Sequence, residues 1–162
     1  MIEANIQQTI IRNLLSNEEY LRKVIPFLKK EYFEADYKTV FKEIVTFVSK
    51  YNKLPTRETL TLDMTANGTF DPASGLVDLV FTPEKVNDDW LIDNTEKWCQ
   101  DRAIYLAIME SINIIDGKHQ SLTKQALPEI LSNALGVCFD TNVGHDYIEN
   151  AEERYEFYHT EE

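Results

Sequence analysis

A chain of 162 residues with 43% hydrophobic content, five glycines and five prolines suits one globular unit or a small head with an appendage, and excludes a disordered polymer. Its formal charge of −12 opposes binding of a phosphate backbone by the surface as a whole, leaving room for a small basic spot at most. The first fifteen residues are periodic, with Glu3 against Arg12, rather than basic and then apolar, and no apolar run approaches the roughly eighteen residues of a membrane span, so the sequence reads as a soluble, unexported protein.

From the amino terminus, Glu3 to Leu15 places Ile6, Ile10, Ile11, Leu14 and Leu15 on one helical face. Ser16, with Glu19 three residues on, has the form of a capping box that opens a second helix. That helix bears Tyr20, Leu21, Val24, Phe27 and Leu28, and Pro26 must bend it or break it in two. Asp36 is the expected cap of a third helix, whose stripe is Tyr37, Val40, Phe41, Ile44, Val45, Phe47 and Val48 and which reaches about Tyr51. A fourth helix enters near Thr56 and stops at Asn67-Gly68, where Gly supplies a C-cap. The apolar run from Leu76 to Phe81 fits a helix or a buried strand; with no second strand to pair with, helix is the better reading.

Asp88 to Gly117 is thirty residues without an internal Pro or Gly, about 45 Å of helix if continuous. Leu91, Thr95, Trp98, Arg102, Tyr105, Met109 and Ile112 follow alternating steps of four and three, a seam for packing on another helix. Beyond Ala103 apolar residues surround most of the circumference, more than one partner helix covers. Two readings stand side by side: the central core helix of a bundle, or a long arm sharing its surface with a second copy of the chain. Trp90 and Trp98, eight residues apart, project from roughly the same side, with Arg102 one turn further. They fit an interface anchor or a core crossing in which Arg102 pairs with a neighbouring carboxylate.

After Gly117 a turn over Lys118 to Ala126 leads to a returning helix with Pro128 in its first turn. Ile130, Leu131, Ala134, Leu135 and Cys138 face back toward the outgoing helix. A polar joint, Asp140 to Asp146, precedes a last helix on which Ile148, Ala151, Tyr155 and Tyr158 form a narrow aromatic stripe. The final twenty residues hold seven acidic side chains against Arg154 alone. Such a stripe behind a hinge reads as a docking element for a partner groove, or as a helix folded onto its own head. The fold class is therefore all-α: a globular multi-helix head over residues 1–87, a long helical hairpin over 88–139, and a hinge with the start of a linker helix over 140–162.

Chemistry is hard to find. The nearest approach to a phosphate-binding loop is Gly117-Lys118, with Ile112 where the first Gly should stand and His119 where the hydroxyl should be. His119, His145 and His159 are scattered without ligand spacing, so no metal set is expected. His145-Asp146 lacks an accompanying nucleophile, and acidic pairs such as Asp88-Asp89 and Glu152-Glu153 fit solvated faces. Cys99 and Cys138 lack CxxC spacing and read as reduced, packed thiols. No catalytic, cofactor-binding or metal-ligating residue is assigned.

Glu31-Tyr32-Phe33, Phe41-Lys42-Glu43-Ile44, Leu54-Pro55-Thr56, Trp90-Leu91, Thr95-Glu96-Lys97 and Gln100-Asp101-Arg102-Ala103 together resemble the amino-terminal region of T-even-type phage replicative helicases. Pro128-Glu129-Ile130, Ala134-Leu135, Phe139-Asp140 and Val143-Gly144-His145-Asp146-Tyr147 resemble that family's hairpin end and the start of its linker. The looser pattern through Arg102 is shared with DnaB-type helicases. The resemblance implies a non-catalytic helical collar of a hexameric helicase, acting in the cytoplasm of the infected host. It would pair through the hairpin as a dimer, assemble as a trimer of dimers, and contact primase and the helicase loader, with no direct DNA binding and no membrane. ATP and magnesium would belong to a motor domain after the linker, a domain this chain ends before. On that footing the hairpin interface falls on Ile104, Ile108, Met109, Ile112, Ile115, Leu131 and Leu135. The linker would dock through Ile148, Ala151, Tyr155 and Tyr158, and Trp90, Trp98 and Arg102 are further anchor candidates. A different class of function is a stand-alone acidic phage protein that binds and modulates a replication helicase ring; a reading frame continuing past Glu162 into a Gly-rich phosphate loop would discount it.

Overall fold

A computed structural model describes residues 2–119 and 121–139, and within them the chain is all-α. Seven α-helices follow in order among the described residues: α1 Ile2–Ser16, α2 Glu18–Val24, α3 Ala35–Tyr51, α4 Arg57–Ala66, α5 Leu76–Phe81, α6 Asp88–Ile115 and α7 Leu127–Leu135. The chain divides into two compact units, Met1–Arg102 and Ala103–Glu162, so the division falls inside α6.

Helix α1 is the centre of the first unit and packs against α2, α3 and α5. Its apolar residues Ile10, Ile11 and Leu14 are fully buried, but so is Gln7, and Arg12 and Asn13 are nearly so. The single apolar face expected from periodicity is therefore a helix enclosed on most sides. Gln7, Arg12 and Asn13 each make a hydrogen bond, as burial favours, although Arg12 Nε is buried without an acceptor among the described residues. Gln7 Oε1 accepts the Glu34 backbone N–H at 3.0 Å, Asn13 Nδ2 donates to the Thr9 carbonyl at 2.8 Å, and Arg12 Nη2 donates to the Leu79 carbonyl at 3.4 Å. That last contact sets a cation against carbonyls near the end of α5, where the helix dipole favours it.

Two helix starts differ from the sequence expectation. Ser16 is the last residue of α1 rather than the cap of α2, its hydroxyl donating to the Arg12 carbonyl at 3.0 Å. Asn17 caps instead, its Oδ1 accepting the Tyr20 N–H at 3.0 Å. With one residue between the helices, only the residue in extended conformation can reach the amide, and that residue is Asn17. Helix α3 begins one residue before Asp36, with Glu34 in the cap position and no side-chain cap bond; the long-range bond from Gln7 fixes that entry. Pro26 does break its helix: α2 ends at Val24 and a 3₁₀ turn, Ile25–Phe27, follows. Thr56 and Thr59 cap α4 reciprocally, and Gly68 closes it at φ +75°. The run from Leu76 to Phe81 is helical.

The amino-terminal part of α6 completes this core. Leu91, Thr95, Trp98 and Cys99 are buried. Phe33 stacks on Phe41 at 4.6 Å between ring centroids and meets Trp98 at 4.8 Å, while Tyr32 approaches Trp98 edge-on at 6.0 Å. Arg102 Nε donates to the Tyr32 carbonyl at 2.7 Å, which ties α6 to the segment before α3. Trp90 and Trp98 do not share a side. Eight helical steps leave them about 80° out of line, so Trp90 is 46% exposed where Trp98 is 5%.

Tyr20 on α2 meets Thr95 on α6 through a buried hydroxyl pair at 2.6 Å. Burial pushes the Tyr20 phenol far above its ordinary value, against the lowering effect of Thr95. Burial, with the Glu96 carboxylate a lesser cause, pushes the Cys99 thiol up from 9.0 to about 12. Both acids keep their protons in the fold to higher pH than in the unfolded chain. Their contribution is complete well below pH 9, the point at which the unfolded thiol is half ionised, and is lost as pH climbs toward 12. Urea midpoints should thus be level across neutral pH and fall above about pH 9, and Cys99 should resist a thiol reagent until the protein unfolds. A midpoint that rises with alkali would contradict this.

Candidate interaction surface

Between Ala103 and Ile115, α6 is apolar on two opposed sides. Ala103, Ala107, Ser111 and Ile114 recur at helical spacing and are buried; the Ser111 hydroxyl is satisfied by donating to the Ala107 carbonyl at 2.7 Å. On the other side Tyr105, Ile108, Met109, Ile112 and Ile115 form one stripe, each between 43% and 56% exposed. Single exposed apolar residues are ordinary on protein surfaces. Five on one face, spaced three and four apart, are the pattern of a helix awaiting a partner.

The helix ends where Gly117, at φ +74°, lets the chain reverse. The Lys118 N–H bonds the Asn113 carbonyl at 2.8 Å and the Gly117 N–H bonds that of Ile114 at 3.0 Å, which is the Schellman arrangement. In the turn, His119 Nε2 lies 3.3 Å from Glu110 Oε2, and His119 Nδ1 accepts the backbone N–H groups of Ser121 and Leu122 at 3.2 and 3.1 Å. Pro128 stands in the first turn of α7. On that helix Ala134 is buried, whereas Leu131 and Leu135 are 37% and 71% exposed.

Of the sequence-predicted interface residues, Ile108, Met109, Ile112, Ile115, Leu131 and Leu135 are thus exposed, and Ile104 is half-buried. Tyr105, read from the sequence as part of the seam, belongs to the same exposed stripe, and Leu122 in the turn adds a further exposed side chain that periodicity did not mark. Trp98 belongs to the core, with Arg102 beside it, and Trp90 to the surface. Ile148, Ala151, Tyr155 and Tyr158 lie outside the described residues.

The geometry at Gly117-Lys118 does not suit a nucleotide. A phosphate loop aims free amides from a helix N-terminus, whereas here the Gly and Lys amides are spent on the carbonyls that end α6. Among the described residues no group of three or more His, Cys, Asp or Glu side chains is arranged for a metal ion, and no helix is long and apolar enough to cross a membrane.

No protein-family model matches this chain. Over 161 aligned residues it is 30% identical to a DnaB-like replicative helicase of Enterobacteria phage T4, an alignment that takes in 91% of this chain and 34% of that protein. The chain therefore spans about a third of the length of the curated relative it matches, and it is related to a phage replicative helicase.

Proposed function

We propose that this chain is the amino-terminal oligomerisation and partner-docking region of a hexameric replicative DNA helicase, non-catalytic in itself and acting in the cytoplasm of the infected host. The observation that carries the reading is the exposed stripe of Tyr105, Ile108, Met109, Ile112 and Ile115, in a chain matching only 34% of a replicative helicase. In this reading residues 1–87 are the head, 88–139 a hairpin that pairs with a second copy, and 140–162 the start of a linker that docks through Ile148, Ala151, Tyr155 and Tyr158. Primase and the helicase loader are the partners, and ATP with magnesium is used by a motor domain of the full-length protein.

Sedimentation of the chain over a concentration series tests the reading. A dimer or a larger assembly that dissociates on dilution is the expected result, with no appreciable binding of duplex or single-stranded DNA at physiological salt, as a charge of −12 dictates. A monomer at every concentration would overturn it.

A further inference from the structure

A second surface lies in the first unit, on the side of α3 that faces the chain break made by Pro26. Leu28 and Phe41, 7% and 4% exposed, floor a groove of about 400 Å³ whose walls are Ile25 and Val45 and whose rim carries Lys30, Lys42 and Thr46. The groove lining carries two cations, Lys30 and Lys42, and no acidic side chain, in a chain whose total charge is −12. The arginines of this unit have visible partners, Arg22 with Glu18 and Arg57 with Asp78. Among the described residues Lys29, Lys30 and Lys42 make no ion pair. Glu43, next to Lys42, is engaged by the Asn67 side-chain amide and the Thr69 hydroxyl.

We infer that this groove docks an acidic amphipathic helix of a partner protein, whose bulky apolar residues enter between Ile25 and Val45 while its carboxylates meet Lys30 and Lys42. Three features select that occupant. The groove runs between helical elements and offers no strand edge, so an extended peptide would leave its amides unpaired, whereas a helix satisfies its own. The unpaired lysines give the site a sign, and carboxylates answer it. Nucleic acid fits less well, because the one aromatic lining residue, Phe41, is buried and presents no face for a base to stack on. The inference gives the docking half of the proposed function a surface and a partner chemistry, and it is independent of self-association.

The probe is a labelled synthetic helix of about fifteen residues, with Leu and Phe at i, i+3, i+4 and i+7 and Glu elsewhere, read by amide chemical shifts and anisotropy against the whole chain. Shifts confined to Leu28–Lys30 and Phe41–Thr46, and weakening by about tenfold or more in Lys30→Glu/Lys42→Glu, are expected. Affinity should also fall when salt is raised from about 0.05 to 0.3 M. Lys30 and Lys42 are exposed, so the variant should keep the parent's circular dichroism, and Val45→Asp tests the apolar wall separately. The inference is overturned if a Lys-for-Glu version of the peptide binds equally well, if the shifts map elsewhere, or if a single-stranded oligonucleotide at the same salt displaces the peptide from these residues. It is equally overturned if the charge reversal changes the sedimenting mass and leaves peptide binding intact. A protein that is monomeric yet binds the peptide at this groove refutes the self-association reading and supports the groove; an assembled protein that ignores the peptide does the reverse.

Discussion

Ile108→Glu is expected to leave the chain folded and helical and to convert it to a monomer. Ile108 is 46% exposed in the single chain, and Glu is a good helix former, so the fold itself loses little. Between two apolar stripes the same carboxylate would be buried without a counter-ion, at a cost of several kcal/mol. A loss of about 3 kcal/mol already weakens association by more than about a hundredfold. Sedimentation equilibrium beside circular dichroism checks both halves of this expectation. Ile114→Glu provides the contrast: Ile114 is 4% exposed, and a charge there should unfold the second unit rather than free a folded monomer. If Ile108→Glu sediments as the parent does, the stripe is not the contact.

Trp98→Ala should be the most damaging truncation in the first unit, costing about 3–5 kcal/mol, while Trp90→Ala should stay within about 0.5 kcal/mol. Trp98 touches Tyr32 and Phe33, and through Phe33 the Phe41 ring; Trp90 stands half in water. One feature tempers the first figure. The Trp98 indole N–H is buried without an acceptor among the described residues, and an unsatisfied donor costs about 1–3 kcal/mol. Trp98→Phe, which removes that donor and retains most of the ring contact, should therefore cost much less than the loss of area suggests. Thermal or denaturant unfolding of the three variants distinguishes these outcomes, and equal losses for Trp90→Ala and Trp98→Ala would refute the assignment of core and surface.

Local rules carried the helical reading a long way. Thr56, Gly68, Gly117 and Pro128 stand at helix ends because capping, left-handed φ and a missing N–H are properties of single residues. Pro26 broke its helix for the same kind of reason. The choices that went astray were settled by residues far off in the chain. Gln7 decides where α3 starts, and no pattern around Asp36 contains that information. Burial of Arg12 and Asn13 follows from helices on several sides of α1, which a one-face periodicity does not describe. Trp90 and Trp98 differ in burial because eight residues overshoot two helical turns by about 80°.

The candidate surface was legible for the opposite reason. Apolar residues around most of the α6 circumference are visible in sequence alone, and the structure sorts them into a buried side and an exposed one. The groove beside Lys30 and Lys42 was not legible, since its two walls, Ile25 and Val45, come from separate elements joined by the break at Pro26.

The hydroxyl pair between Tyr20 and Thr95 joins residues 75 apart, and the Arg12 contact with Leu79 joins residues 67 apart. During synthesis the earliest helices therefore emerge long before the side chains that cover them. Phe33 and Tyr20 wait for Trp98 and Thr95, so a nascent chain from which α6 has not yet emerged exposes sticky apolar surface that a chaperone would recognise. Helices α1 to α5 pack on one another, but the first unit is complete only once α6 has emerged as far as Arg102.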